Sequence, residues 1–93
     1  MYLGNMYLTC GVMDLISDGI TSKQEILNYI SKHQRGDYGL TCIEDVRVNE
    51  RNLDRNCGTV MSEYLIGGHR VWVITSLGDS ETTYTTALLP SEY

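Results

Sequence analysis

Few side chains in this 93-residue chain could do chemistry on their own. Cys10, Cys42 and Cys57 supply the thiols, and His33 and His69 the imidazoles. Cys10, Cys42, Cys57 and His69 would make four metal ligands in number. None of the C-x-x-C or H-x-x-x-H spacings that preset a zinc site accompanies them. Cys42 falls in the first turn of an expected helix, where the helix start lowers a thiol pKa. A Cys–His nucleophile also needs an orienting carboxylate, and an isolated Cys is most often a small core residue. Gly4, Gly11 and Gly19 are too scattered for a phosphate loop, and no G-K-[ST] occurs. The chain is therefore not read as an enzyme, and no catalytic residue, metal or cofactor is assigned.

Two features of one helix carry charge that could be used. At 100° per residue, Ile43, Val46, Leu53 and Cys57 fall on one stripe with Glu50 among them. A carboxylate held there has its pKa raised unless paired, so Glu50 is a candidate buried or paired carboxylate. Arg47, Arg51 and Arg55 form a basic ridge one turn apart. Glu44, Glu50 and Asp54 stand three or four residues away, as expected of a salt-bridged, solvated face.

The elements that must position these groups are marked by local signals. Met6–Cys10 has strand character, and the V-M-D-L-I run reads as one or two helical turns ending near Asp18-Gly19. Ser22 and Glu25 form a capping box for a second helix bearing Ile26, Leu27, Ile30 and His33, which Gly36 should close. Thr41 and Glu44 form another box, with Leu40 before it as a staple, for a third helix running to Asn56-Cys57-Gly58. The R-G-D-Y-G loop between them is then a helix stop followed by a helix start. Thr59–Ile66 and His69–Ser76 are β-rich runs joined by Gly67-Gly68, a two-residue hairpin signal. L-G-D-S-E is a further turn before the T-T-Y-T-T-A-L-L strand. Trp72 and Tyr64 are expected to pack across the hairpin. The pattern gives an α+β two-layer fold: N-terminal helices on a three- to four-stranded antiparallel sheet, the N-terminal segment adding an edge strand.

The totals set limits. Residues 1–93 suffice for one domain with a modest core. The net charge of −5, from twelve acids against seven bases, argues against direct nucleic-acid binding, which needs a positive surface. It permits a basic protein partner, including one whose DNA site an acidic surface could occupy. Three unpaired cysteines, no signal-peptide pattern and no membrane span point to the cytoplasm.

The G-D-Y-G loop at Gly36–Gly39, the polar helix E-D-V-R-V-N-E from Glu44, the strand V-W-V-I-T at Val71–Thr75 and the terminal T-T-A-L-L-P-S-E-Y together resemble a family of short proteins borne on bacterial plasmids and prophages. The family's loop aromatic is typically Trp where this chain has Tyr38. Its acid after the Ile-Thr pair is replaced by Ser76 and the longer L-G-D-S-E turn. The resemblance brings no catalytic residue. It implies a mobile-element protein acting on a bacterial host's defences, as an anti-CRISPR or antirestriction inhibitor that binds a nuclease complex stoichiometrically and occludes its nucleic-acid-handling surface. Contact is expected on loops: Asp37 and Tyr38, the Gly67-Gly68 tip, and the turn from Asp79 to Glu81. The alternative is a self-associating accessory or plasmid-maintenance protein, a homodimer formed through an exposed edge strand.

Overall fold

A computed structural model describes residues 1–93. Its elements in chain order are β1 (Asn5–Leu8), α1 (Cys10–Ser17), α2 (Lys23–Gln34), α3 (Ile43–Arg55), β2 (Thr59–Ile66), β3 (His69–Ser76), β4 (Tyr84–Leu88) and a closing 3-10 turn, Pro90–Glu92. The start of α2 follows its capping signal, with the Ser22 hydroxyl accepting from the Glu25 N–H at 3.1 Å. The R-G-D tripeptide ends that helix in a Schellman arrangement: the Asp37 N–H bonds the Lys32 carbonyl and the Gly36 N–H bonds that of His33. Gly36 sits at φ +87°, where a side chain would be strained.

Gly67 and Gly68, both at positive φ, make the primed turn whose twist suits a two-residue hairpin, and Ile66 pairs with His69 across it. The sheet order is β1-β4-β3-β2. β2, β3 and β4 run antiparallel, while β1 adds to β4 in parallel, Met6 opposite Thr85. The sheet is therefore mixed at the edge expected to be antiparallel. No hairpin ties β1 to β4, which lies almost the whole chain away, so turn geometry does not dictate its direction. One face of the sheet receives α1 and α2. Val12, Leu15, Ile26 and Ile30 meet Tyr64, Ile66, Val71, Val73 and Ala87 in a single apolar cluster.

α3 is held differently. Its one fully buried residue is Asn49. The Asn49 amide donates to the Met61 carbonyl at 2.8 Å and accepts from the Met61 N–H at 2.9 Å. Asn52 donates to the Thr59 carbonyl at 2.7 Å, and Asn56 to that of Gly78 at 3.2 Å. Positions 49, 52 and 56 follow the helical period, so the inward stripe is asparagine rather than apolar. The expected apolar stripe is corrected accordingly: Ile43 and Cys57 are exposed, Val46 and Leu53 half-buried. Glu50 is exposed on the outer surface and neither buried nor paired, because the only ion pair in the structure is Arg70–Glu63 at 3.3 Å. Thr41 does not cap α3 either, a role that falls to Cys42 without a side-chain bond. Its hydroxyl instead donates to the Tyr38 carbonyl and accepts from the Glu63 N–H at 3.0 Å. With the Leu40 N–H on the Glu63 carbonyl at 2.7 Å, the outer edge of β2 is closed from Thr59 to Glu63.

Glu92 completes the frame. One carboxylate oxygen accepts from the Thr9 hydroxyl at 2.6 Å and the Leu89 N–H at 2.9 Å, the other from the Gly11 N–H at 2.9 Å. A carboxylate thus stands at the start of α1, where N–H groups lack partners and the helix dipole favours negative charge. A Cβ on Gly11 would lie 2.6 Å from that carboxylate, which explains a glycine there.

Asn49→Ala leaves both backbone groups of Met61 without their partner in a water-poor seam. Denaturant unfolding should show a loss of about 2–3 kcal/mol, against a change within ±0.5 kcal/mol for Val48→Ala on the outer surface. Equal, small losses for the two variants would show that the asparagine stripe does not hold α3.

Candidate functional site: the open sheet face

Strand alternation sends Val71, Val73 and Thr75 to the helices and Trp72, Ile74 and Ser76 to the opposite face. No helix covers that second face; only Tyr93, after the closing turn, lies against Trp72 there, and Leu88 is buried. Tyr7, Tyr84, Thr86, Leu88, Ile74, Trp72, Met61 and Leu65 spread across it in the register of the four strands. Tyr7 and Tyr84 meet edge-on with ring centroids 6.2 Å apart, and Trp72 and Tyr93 at 5.5 Å. Tyr93 is 83% exposed, Tyr7 53% and Tyr84 46%. A shallow depression of about 250 Å³ lies between Ile74, Tyr84, Thr86, Leu88 and Tyr93. The charged side chains of the face are Glu63 and Arg70, paired with each other at the hairpin end. Glu63 also accepts the Trp72 indole N–H at 2.9 Å. Trp72 therefore faces away from Tyr64, which packs against Tyr29 at 4.9 Å on the helix side. The expected Trp72–Tyr64 pair does not form because the two residues belong to opposite faces.

The loop residues singled out from the sequence do not make one patch. Gly67-Gly68 and the turn holding Asp79 and Glu81 lie at opposite ends of the β2–β3 pair, roughly 25 Å apart over eight residues. Asp37 is exposed beside the closed β2 edge, where its carboxylate accepts from the Gly39 N–H at 3.2 Å. Tyr38 is corrected as a surface recognition residue. It is buried, edge-on to His33 at 6.2 Å, and burial with the charge of Glu50 raises its phenol pKa. Asp79 holds its own turn, one oxygen accepting from the N–H groups of Glu81 and Thr82 at 2.9 Å each. These bonds, the one from Glu81 foremost, lower its pKa. Its turn also borders a depression of about 430 Å³ with Asn56, Leu77 and Tyr2. Glu81 is exposed. The turn's acids thus stand at the end of the sheet nearest Ser76 and Tyr84, in a turn that Asn56 and Tyr2 hold through the Gly78 and Ser80 carbonyls.

Cys10, Cys42 and Cys57 are free and exposed, and no three His, Cys, Asp or Glu side chains are grouped so as to hold a metal ion. Cys42 does not have the lowered pKa expected of a helix start. The Asp45 N–H favours the thiolate, but the carboxylates of Asp45 and Glu44 outweigh it and the pKa rises.

A polar chain inside the core escaped the sequence reading. His33 is fully buried on α2, its Nδ1 2.6 Å from the Ser62 hydroxyl and its Nε2 2.9 Å from that of Thr75. Thr75 meets Thr85 at 2.7 Å, and Thr85 donates to the Leu3 carbonyl at 2.8 Å. Counting protons from that carbonyl fixes every direction. Thr85 gives its proton to Leu3, so it accepts from Thr75. Thr75 then accepts from the His33 Nε2–H, and Nδ1 accepts from Ser62. Burial holds the imidazole neutral by lowering its pKa to about 4. A Ser–His contact of this kind has the form of a nucleophile and its base, but both groups are sealed from any substrate. The available signal was His33 in register with Ile26 and Ile30, with Ser62, Thr75 and Thr85 on the apolar sides of three strands.

No helix of the structure is long and apolar enough to cross a membrane. Fold and surface define a small α+β protein with helices on one side of a four-stranded mixed sheet and an aromatic, nearly uncharged second side. No family model, curated protein or solved structure matches the chain.

The His33 chain makes stability depend on pH. The unfolded imidazole takes up a proton near pH 6.5 and the folded one near 4, so the unfolded state binds more protons in between. The contribution of His33 is complete above pH 6.5 and is lost as pH falls toward 4, by about 3 kcal/mol in all. Asp79 and Glu92, whose pKa values are lowered by hydrogen bonds, lose theirs only below the ordinary carboxylate range. Urea unfolding between pH 7 and 4.5 should therefore show stability falling with a limiting slope of about 1.4 kcal/mol per pH unit. A flat profile over that window would refute the neutral buried His33.

Proposed function

We propose that the chain is a stoichiometric protein-binding inhibitor that lays its open sheet face on a partner. The observation that carries this reading is the uncovered face bearing Tyr7, Trp72, Tyr84 and Tyr93 with a single, internally paired set of charges. Interface centres are enriched in aromatic residues and Met and depleted in charge. Large aromatics in shallow depressions are the usual anchors. Asp79 and Glu81 at one rim, on a chain of net charge −5, suit a partner with basic surroundings and speed its encounter with this protein. The resemblance to mobile-element proteins gives that partner a class: a bacterial defence nuclease or its complex, met in the host cytoplasm, whose nucleic-acid-handling surface is covered. Nucleic acid itself is the poorer ligand, since Arg70, the lone base of the face, is already paired with Glu63. Compared with the loop contacts expected from the sequence, this reading keeps Asp79 and Glu81 at the rim and moves the centre to the sheet.

The test is capture of partners by the tagged chain from bacteria carrying active CRISPR and restriction systems. The expected result is near-stoichiometric recovery of a DNA-handling defence protein. A Tyr84→Ala, Thr86→Arg double variant of unchanged melting temperature should lower that recovery about tenfold or more. Asp79→Asn with Glu81→Gln should slow association and weaken its salt dependence. Recovery that is indifferent to the sheet-face variant would remove the face from the contact.

A further inference from the structure

The two edges of the sheet are treated in opposite ways. The β2 edge is covered by Asn49, Asn52, Thr41 and Leu40 from Thr59 to Glu63. The β1 edge carries no such cover. The Thr9 N–H donates to the Ala87 carbonyl at 3.1 Å, so by alternation the N–H and C=O groups of Asn5 and Tyr7 also face β4. Those of Met6 and Leu8 point away from the sheet, and no other hydrogen bond of the chain takes them. Met6 and Tyr7 are each about half exposed.

Charge is also distributed unevenly. Met1 to Met13 contains no Asp, Glu, Lys, Arg or His, in a chain of net charge −5. Four of the eleven large apolar side chains left exposed (Tyr2, Met6, Tyr7 and Met13) lie in that same stretch. An open, uncharged edge strand without proline is the arrangement that pairs with another strand.

We propose that β1 pairs antiparallel with β1 of a second copy, about a twofold axis through Tyr7, joining two sheets into one of eight strands. Three observations choose a second copy as the occupant. Two acidic chains repel unless they meet through a surface free of like charge, and β1 lies in the uncharged stretch. The pleat requires directly opposed residues to share a face. With Tyr7 on the axis, Met6 lies opposite Leu8 of the second copy, and both contribute the outward groups that a hydrogen-bonded pair needs. A twofold at Met6 would enlist Gly4, whose φ of +64° breaks the extended strand. Finally, each copy has one bare edge, so the pairing uses both and closes at two. In this dimer Tyr84 and Tyr7 of one copy run on into Tyr7 and Tyr84 of the other, and the open face doubles. The pairing does not depend on the proposed inhibitor role, since it is read from mass and backbone exchange without a target present. The strand edge is small against the ~800 Å² per partner of a standard interface, so reversible, micromolar association is expected.

Sedimentation of the full chain across a micromolar concentration series should show conversion from monomer to dimer. Tyr7→Lys and Tyr7→Glu each place like charges opposite one another on the axis and should raise the dissociation constant about tenfold or more. Mixing the two variants should restore a dimer containing one of each. Circular dichroism should show both variants folded. Met6→Pro, which removes an outward N–H without touching the β1–β4 ladder, should also abolish association. A wild-type chain that stays monomeric at high micromolar concentration overturns the proposal. So does a dimer that persists in Tyr7→Lys, or one in which the Met6 and Leu8 amides exchange as fast as in the monomer.

Discussion

The imidazole of His33 fixes how the helices meet the sheet. Ser62, Thr75 and Thr85 come from three different strands and point into the core, where an unpartnered hydroxyl is costly. One side chain from α2 satisfies the first two, and the third is reached through Thr75. A slip of one residue between β2 and β3, or between β3 and β4, would break the series and leave buried groups without partners. The apolar cluster around it would tolerate exchange among residues of similar volume. The polar series would not, because each member has one proton and one place to send it. It therefore specifies strand register and helix placement together, while the apolar residues supply most of the burial.

Much of the architecture was legible in the chain because its signals are local. The Gly67-Gly68 pair needs only its own backbone to make a hairpin, and the β2 and β3 boundaries follow from it. Ser22 caps its helix through a residue three positions away, and R-G-D closes it within one turn. What could not be read depends on distant partners. Thr41 has the sequence of a cap but is drawn to Glu63 of β2, a contact that exists only after the chain has folded back. The stripe of α3 was misread for the same reason: asparagine at 49, 52 and 56 looks solvent-facing until a strand edge with unsatisfied backbone groups lies beneath it. The direction of β1 and the role of Glu92 at the start of α1 are likewise set by residues about eighty positions away.

The candidate surface was legible only in part. Alternation within β3 makes both of its sides apolar, Val71 and Val73 on one and Trp72 and Ile74 on the other. That pattern belongs to a strand covered twice, yet the chain has helices to cover it once. The three N-terminal helices were expected to form one layer. α3 instead lies along an edge, so α1 and α2 cover one side and the second remains open. Tyr38 shows the converse error. A tyrosine between Asp37 and Gly39 in a loop looks presented to solvent, and here the loop folds inward against His33.

The attachment of α3 has a consequence for change over time. Asn49, Asn52 and Thr41 grip carbonyl and N–H groups of β2, which every residue type except proline presents alike. The side chains of Thr59, Met61, Glu63 and Leu65, which point to the open face, have no part in that grip. They can be exchanged while the helix stays seated, just as the outer residues of α3 can. The open face is thus mounted on a frame that does not register which side chains it carries.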